Sequence, residues 1–226
     1  MKKTLLVTGA SRGIGLEMVR QYLAADWRVI ACCRNPKSAH ALIELAPSEL
    51  LELDVTKVED MERVARFLQG EPIDILMNNA GIQGPSNEEF DWRKPASWLE
   101  ALQTMTLGPY LLAQALLPSV EKSQLKLIVS MSSSYGSIEL NRNGDYFVYR
   151  TSKVALNAAI KCLANQTKDK GIIALALHPG SVKTDLNPTG RVSVSDSVAQ
   201  IRKTLGSVTP KDSGAFLDAA GKQLPW

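Results

Sequence analysis

The chain has 226 residues, 45 % of them hydrophobic and 22 % charged, which suits a single well-buried globular domain spanning 1–226. A net charge of +3 with no run of basic residues argues against nucleic acid, and no stretch approaches the roughly 20 apolar residues of a membrane span. Cys32, Cys33 and Cys162 lack metal-ligand spacing, and Thr8-Gly9 interrupts the only leader-like run; a cytoplasmic protein without a metal is expected.

In chain order, short β-branched runs alternate with helical periodicity. Strands are predicted at Thr4–Val7, Arg28–Cys32, Leu50–Leu53, Ile73–Met77, Leu125–Met131 and Ile172–Leu177. Helices are predicted at Gly15–Ala25, around Ser38–Leu45, at Lys57–Phe67, at Trp98–Leu117 and through Val154–Cys162. The long one should kink at Gly108-Pro109. A last helix runs from Ser195 through Leu205, followed by a short apolar end. Strand–helix alternation of this kind builds βαβ units on a parallel sheet, an α/β fold of about six or seven strands with helices on both faces. A substrate loop is expected around 186–210, its first part carrying Pro188, Gly190 and Arg191.

Several motifs fall where such a sheet presents ligands. Gly9, Gly13 and Gly15 lie where the first strand gives way to the first helix. There the chain turns tightly, and free N–H groups with the helix dipole favour a pyrophosphate. The place at the end of the second strand where an acid would hold ribose hydroxyls is taken by Cys33, followed by Arg34, with Arg12 in the glycine loop. Two guanidiniums and no carboxylate suit a 2′-phosphate, although Arg34 also reads as a solvated loop charge. Asp54 either accepts from an adenine amino group or caps the following helix. Asn78-Asn79-Ala80-Gly81 and Ser132-Ser133-Ser134 both end strands at the carboxyl edge. Tyr149 and Lys153, spaced i and i+4, share one helix face, and a neighbouring cation favours the phenolate. A tyrosine so placed exchanges a proton with a carbonyl or alcohol oxygen. His178 reads as structural, and His40, on a surface helix, has no assigned role.

Together these motifs resemble the short-chain dehydrogenase/reductase family over essentially the whole chain. The matching pieces are Thr8 to Gly15, Asp54-Val55, Asn78 to Gly81, Ser132-Ser133-x-x-Gly136, Tyr149-x-x-x-Lys153 and Pro179-Gly180. Within it, Tyr149 to Asn157, His178 to Asp185 and Gly214 to Asp218 are similar to the subgroup of C-factor signalling proteins and sniffer-type carbonyl reductases. The closing segment is also expected to mark a complete chain. The resemblance implies a single-domain Rossmann-type, doubly wound sheet, and Arg12 with Arg34 in place of an acid points to NADP(H) in preference to NAD(H). It implies Tyr149 as general acid/base, Ser133 orienting the substrate carbonyl, and Lys153 lowering the tyrosine pKa and holding the nicotinamide ribose. The phosphates would sit over Gly13 and Ile14, and Asn79 and Gly81 would lie beside the adenosine-side ribose; Gly9, Ser11, Arg12, Gly15 and Ala80 complete the cofactor-binding residues expected in these two turns. Val182 and Thr184, after Pro179-Gly180, would meet the carboxamide. The implied reaction is NADPH-dependent reduction of a small ketone, aldehyde or quinone, in a homodimer or homotetramer. One departure stands out: the family's helix asparagine, three residues before a glycine, is Met105 here, with Thr104 and Thr106 beside it. A C-factor-like signalling protein with feeble catalysis is the alternative reading.

Overall fold

The computed structural model describes residues 2–226; Met1, the first residue of the expected domain, lies outside them. Seven parallel strands form one sheet in the order β3-β2-β1-β4-β5-β6-β7. They are β1 (Thr4–Thr8), β2 (Arg28–Cys33), β3 (Glu49–Glu52), β4 (Ile75–Asn78), β5 (Leu127–Met131), β6 (Ile173–His178) and β7 (Phe216–Asp218). Helices α1 (Gly13–Ala24) and α2 (His40–Glu44) follow β1 and β2, and α3 (Val58–Leu68) follows β3. Next come α4 (Ala96–Leu102), α5 (Gly108–Glu121), α6 (Phe147–Gln166) and α7 (Val194–Leu205).

The period-two alternation of the strands explains the two layers. Leu5 and Val7 point to the face covered by Met18 and Val19 of α1 and Val198 and Ile201 of α7. Leu6 points to the other face, against Leu112 and Leu116 of α5 and Leu156 and Ile160 of α6. Because both faces are covered, the inner strands are buried along their whole length and mostly apolar rather than alternating, as parallel sheets require. The strand order reverses between β1 and β4, and that crevice at the carboxyl ends is where such sheets bind ligands.

The structure departs from the sequence reading in local detail. The segment around Ser38–Leu45 is a 3₁₀ turn at Pro36–Ser38 and then the five-residue α2. β5 begins two residues later than predicted because Lys126 takes a left-handed backbone, φ 53°. β4 likewise starts at Ile75, since Ile73 N–H donates to Ser119 O, in α5, instead of a ladder partner. The long helix is not one element: a π-helical turn, Gln103–Leu107, joins α4 to α5 just ahead of Gly108. A Cβ on Gly108 would lie 2.5 Å from Val55 O, so the glycine lets the helix press against that loop. Much of the expected 186–210 loop is α7, leaving a shorter strap between β6 and that helix. Among the described residues no helix is long and apolar enough to cross a membrane.

Candidate active site

A cleft of about 1140 Å³ opens along the carboxyl edge and gathers nearly all the predicted residues. At its centre the glycine turn is stitched to the end of β4. Thr8 Oγ1 accepts from Asn79 N and Ala80 N at 3.0 and 3.1 Å, and Asn79 Nδ2 donates to Thr8 O and Gly9 O at 3.0 and 3.3 Å. The Asn79 amide is therefore occupied in holding the loop, while Ala80 and Gly81 face the cleft beside it. Gly9 has φ +65°, and a Cβ there would fall 2.9 Å from Ala80 Cα, so the turn requires a glycine. Helix α1 starts after Arg12 with no side-chain cap and no acid in its first turn, leaving its first N–H groups to the cleft at Gly13 and Ile14. Gly15 differs from the expectation: it is buried beneath the turn and does not line the cleft. Its role is packing, because a Cβ there would sit 2.3 Å from Gly9 O.

At one end of the cleft lie Ser11, Arg12, Arg34, Asp54 and Val55, with Cys33 at the end of β2 and exposed His40 as a wall the sequence had not suggested. Arg12 Nη1 stands 3.7 Å from Asp185 Oδ2 of the strap, a solvent-exposed pair. Asp54 Oδ1 accepts from Thr56 N and Oγ1 at 3.0 and 2.7 Å, closing the turn before α3, whose N-cap is Lys57. Pro179, Gly180, Val182 and Thr184 run along the opposite rim. Thr184 Cγ2 would lie 3.6 Å from a Cβ on Gly13, so the strap reaches across to the glycine loop.

At the other end, α6 brings Tyr149 and Lys153 to the floor, as i,i+4 spacing dictates. Lys153 is 4 % exposed and its Nζ donates to Met131 O at 2.7 Å. Burial pulls this amine down from its ordinary 10.5 to about 8. Burial pushes the Tyr149 phenol up to about 12, against the pull of the Ser133 hydroxyl beside it. The expected lowering of the tyrosine by Lys153 is thus absent: the ammonium is turned to Met131 O, with Nζ 5.6 Å from the tyrosine ring centre, and desolvation dominates. Ser133 Oγ accepts from Tyr135 N at 3.2 Å, and its O–H faces the Tyr149 phenol across the cleft.

Met105 is buried, 1 % exposed, packed with Ala101 and Val148, and its Sδ borders Gly81. Neither neighbour supplies an amide-like group: Thr106 Oγ1 donates to Ser152 O at 2.9 Å, and Thr104 lines the cleft wall. His178 Nδ1 is buried without a partner, and burial lowers that imidazole's pKa although Asp218 opposes.

Sequence reasoning missed three contributors. Tyr135 and Tyr146 line the cleft near Tyr149. Asn157 ties the serine turn to α6, accepting from Ser132 Oγ at 2.6 Å and donating from Nδ2 to Gly136 O at 3.0 Å. Its spacing was a usable signal, since Tyr149, Lys153 and Asn157 recur every four residues on one face.

A parallel sheet with a glycine turn at its switch point, and a buried tyrosine and lysine with a serine beyond it, define a class: nicotinamide-type α/β oxidoreductases. The model of the family described as short chain dehydrogenase matches residues 3–193, and the chain belongs to that family of oxidoreductases. It is 32 % identical over 159 residues to the C-signal of Myxococcus xanthus, covering 69 % of this chain and 93 % of that one. A short chain dehydrogenase of Penicillium aethiopicum is 31 % identical over the full length of both. Among solved structures, the carbonyl reductase Sniffer of D. melanogaster gives a TM-score of 0.92 at 32 % identity, covering 100 % of each chain. The NADPH-bound carbonyl reductase from chicken fatty liver gives 0.90 at 37 %, covering 100 % of this chain and 99 % of that one. The resemblance to the C-factor and sniffer subgroup stands.

Proposed function

We propose that this protein is an NADPH-dependent reductase of a small carbonyl compound, a ketone, aldehyde or quinone, with Tyr149 as general acid. The observation that carries the reading is one cleft with two chemically distinct ends. An uncapped helix N-terminus and Arg12 with Arg34 suit a phosphorylated dinucleotide; Tyr149, Ser133 and Lys153 suit a carbonyl oxygen. The donor set fits: Gly13 and Ile14 offer N–H groups for the pyrophosphate, and a guanidinium fork at Arg34 matches a 2′-phosphate where Cys33 offers no carboxylate. The solved relatives from chicken liver and from Burkholderia multivorans, crystallised with NADPH and NADP, support the same cofactor.

Bound in the cleft, the reduced nicotinamide supplies the hydride that adds to the carbonyl carbon. Tyr149, held protonated at neutral pH by its burial, would give its phenolic proton to the substrate oxygen, so that a carbonyl that accepts the hydride leaves as an alcohol. Ser133 O–H donates to the same oxygen and stabilises its developing charge. Lys153, charged below about 8, would hold the nicotinamide ribose, its Nζ being engaged by Met131 O rather than by the phenol. Residues 1–226 act as one domain, in the cytoplasm, as a homodimer or homotetramer.

The test is a calorimetric titration of NADPH against NADH, then a carbonyl panel with the tighter cofactor and with Tyr149→Phe. Tighter NADPH and a loss of at least about a hundredfold in kcat are expected; a Tyr149→Phe variant as active as the wild type would overturn the assignment. Met105 favours a second reading, a cofactor-binding signalling protein with feeble turnover, because a thioether stands where the family places an amide. That reading expects tight NADPH binding with negligible turnover across the panel.

A further inference from the structure

Arg150 follows Tyr149 directly, so α6 turns it away from the cleft, yet it is 6 % exposed. A buried cation requires partners, and its guanidinium finds them at Nε and Nη2. Nε donates to Asp145 O at 2.7 Å and to Asp145 Oδ1 at 3.1 Å; Nη2 donates to Asp145 Oδ1 at 2.6 Å and to Asn143 Oδ1 at 3.2 Å. These edge contacts leave the flat face free, and it lies 4.0 Å from the centre of the Tyr135 ring.

Tyr135 joins this cation to the reacting groups. Its ring stands edge-on to Tyr149, centres 6.2 Å apart at 75°, and tilted against Tyr146 at 5.9 Å. Its backbone N–H donates to Ser133 Oγ at 3.2 Å. Tyr146 has φ 50°, a left-handed backbone rarely adopted by an aromatic residue, directly between Asp145 and the first turn of α6. Strain of that kind persists only where the surroundings over-determine it, and the Asp145–Arg150 contacts on its flank do so.

We propose that Arg150 is a positioning residue: by stacking on Tyr135 it fixes that ring against Tyr149 and, through the Tyr135 N–H, fixes the direction of the Ser133 hydroxyl. A structural ion pair alone would need only Asp145; the stack on a cleft-lining ring is what links Arg150 to the chemistry. The inference rests on the reductase reading for its kinetic consequence but not for its geometry.

Four variants test it: Arg150→Met, Tyr135→Phe, Tyr135→Leu, and Arg150→Met combined with Tyr135→Leu. Arg150→Met should lower kcat on the order of tenfold while the NADPH Kd stays within about twofold, because a misdirected donor affects chemistry rather than cofactor binding. Tyr135→Phe, which keeps the ring, should lose clearly less kcat than Tyr135→Leu, and Tyr135→Leu should match Arg150→Met. The double variant should be no worse than either single, because both act through one contact. Multiplying losses, or wild-type kcat in Tyr135→Leu, would overturn the proposal, and the latter comparison holds even if Arg150→Met does not fold. In fluorotyrosine-labelled protein, the resonance assigned by its absence in Tyr135→Phe should shift or broaden in Arg150→Met. An unchanged resonance overturns the clamp whether or not any carbonyl is turned over. A wild type inactive on the whole panel, with that resonance shifted, sinks the reductase reading and leaves the clamp standing.

Discussion

Replacing Gly15 by alanine should damage stability and cofactor binding together. The added Cβ would meet Gly9 O at 2.3 Å and Asn79 Nδ2 at 2.7 Å. Reaching ordinary contact requires the glycine turn to yield by about 1 Å. Overpacking of that size costs about 1–3 kcal/mol, and the displaced Asn79 amide loses bonds to Thr8 O and Gly9 O worth about 1 kcal/mol each. Alanine returns about 1 kcal/mol of helix propensity inside α1, so the net loss is about 2–4 kcal/mol. For a chain of this length that lowers Tm by roughly 4–16 °C in differential scanning calorimetry. The same displacement moves the Gly13 and Ile14 N–H groups, so the NADPH Kd should weaken at least about tenfold, or ~1.4 kcal/mol, by titration calorimetry. Gly81→Ala is the control: its Cβ would first meet Met105 Sδ at 3.7 Å, an ordinary contact. A Gly15→Ala protein melting within about 1 °C of wild type with unchanged NADPH affinity would refute the steric reasoning.

Asn157→Leu leaves the Ser132 hydroxyl and the Gly136 carbonyl without partners in the interior. It should cost about 2–4 kcal/mol by urea denaturation and reduce kcat; a loss under about 0.5 kcal/mol would deny Asn157 its role in the serine turn. Met105→Ala empties a fully buried site and should cost about 2–5 kcal/mol in the same assay. Lys153 gives a pH signature. Its folded pKa, about 8, lies below the unfolded 10.5, so its charge is disfavoured in the folded state at neutral pH, by on the order of 3 kcal/mol. That penalty is complete below about 8 and is relieved as pH rises from 8 toward 10.5, where only the unfolded chain still holds the proton. The stability advantage of Lys153→Met over wild type should therefore shrink between pH 7 and 10 in chemical denaturation, and a constant gap would contradict the burial argument.

Much of the sheet was readable because its determinants are local. Leu5–Val7 and Val29–Cys33 are continuous apolar runs, and a strand buried on both faces suits them best. The errors came where tertiary contacts overrode the pattern: the close approach of Gly108 to Val55 accompanies a π-helical turn no periodicity announces, and a left-handed Lys126 shortened β5. At the site, the placement of the glycine turn and of Tyr149 with Lys153 along one cleft was legible because it depends on fixed intervals along the chain. Tyr135, Tyr146 and the Asp145–Arg150 contacts were not, because their meaning lies in which ring meets which guanidinium across a folded loop. The charge balance at Lys153 and Tyr149 was also hidden, since burial is a property of the packed molecule.

The parallel order of the sheet bears on how the molecule comes into being. Each adjacent pair, β1 with β4 above all, is separated in sequence by at least one crossover, so no hairpin offers an early local reward. Loop-closure entropy must be met before pairing repays it, which makes such topologies slow to fold. The crevice between β1 and β4 joins two wings of the chain, so neither wing alone holds a usable cleft. Loss of docking between the wings would silence the protein with every side chain of the site still intact.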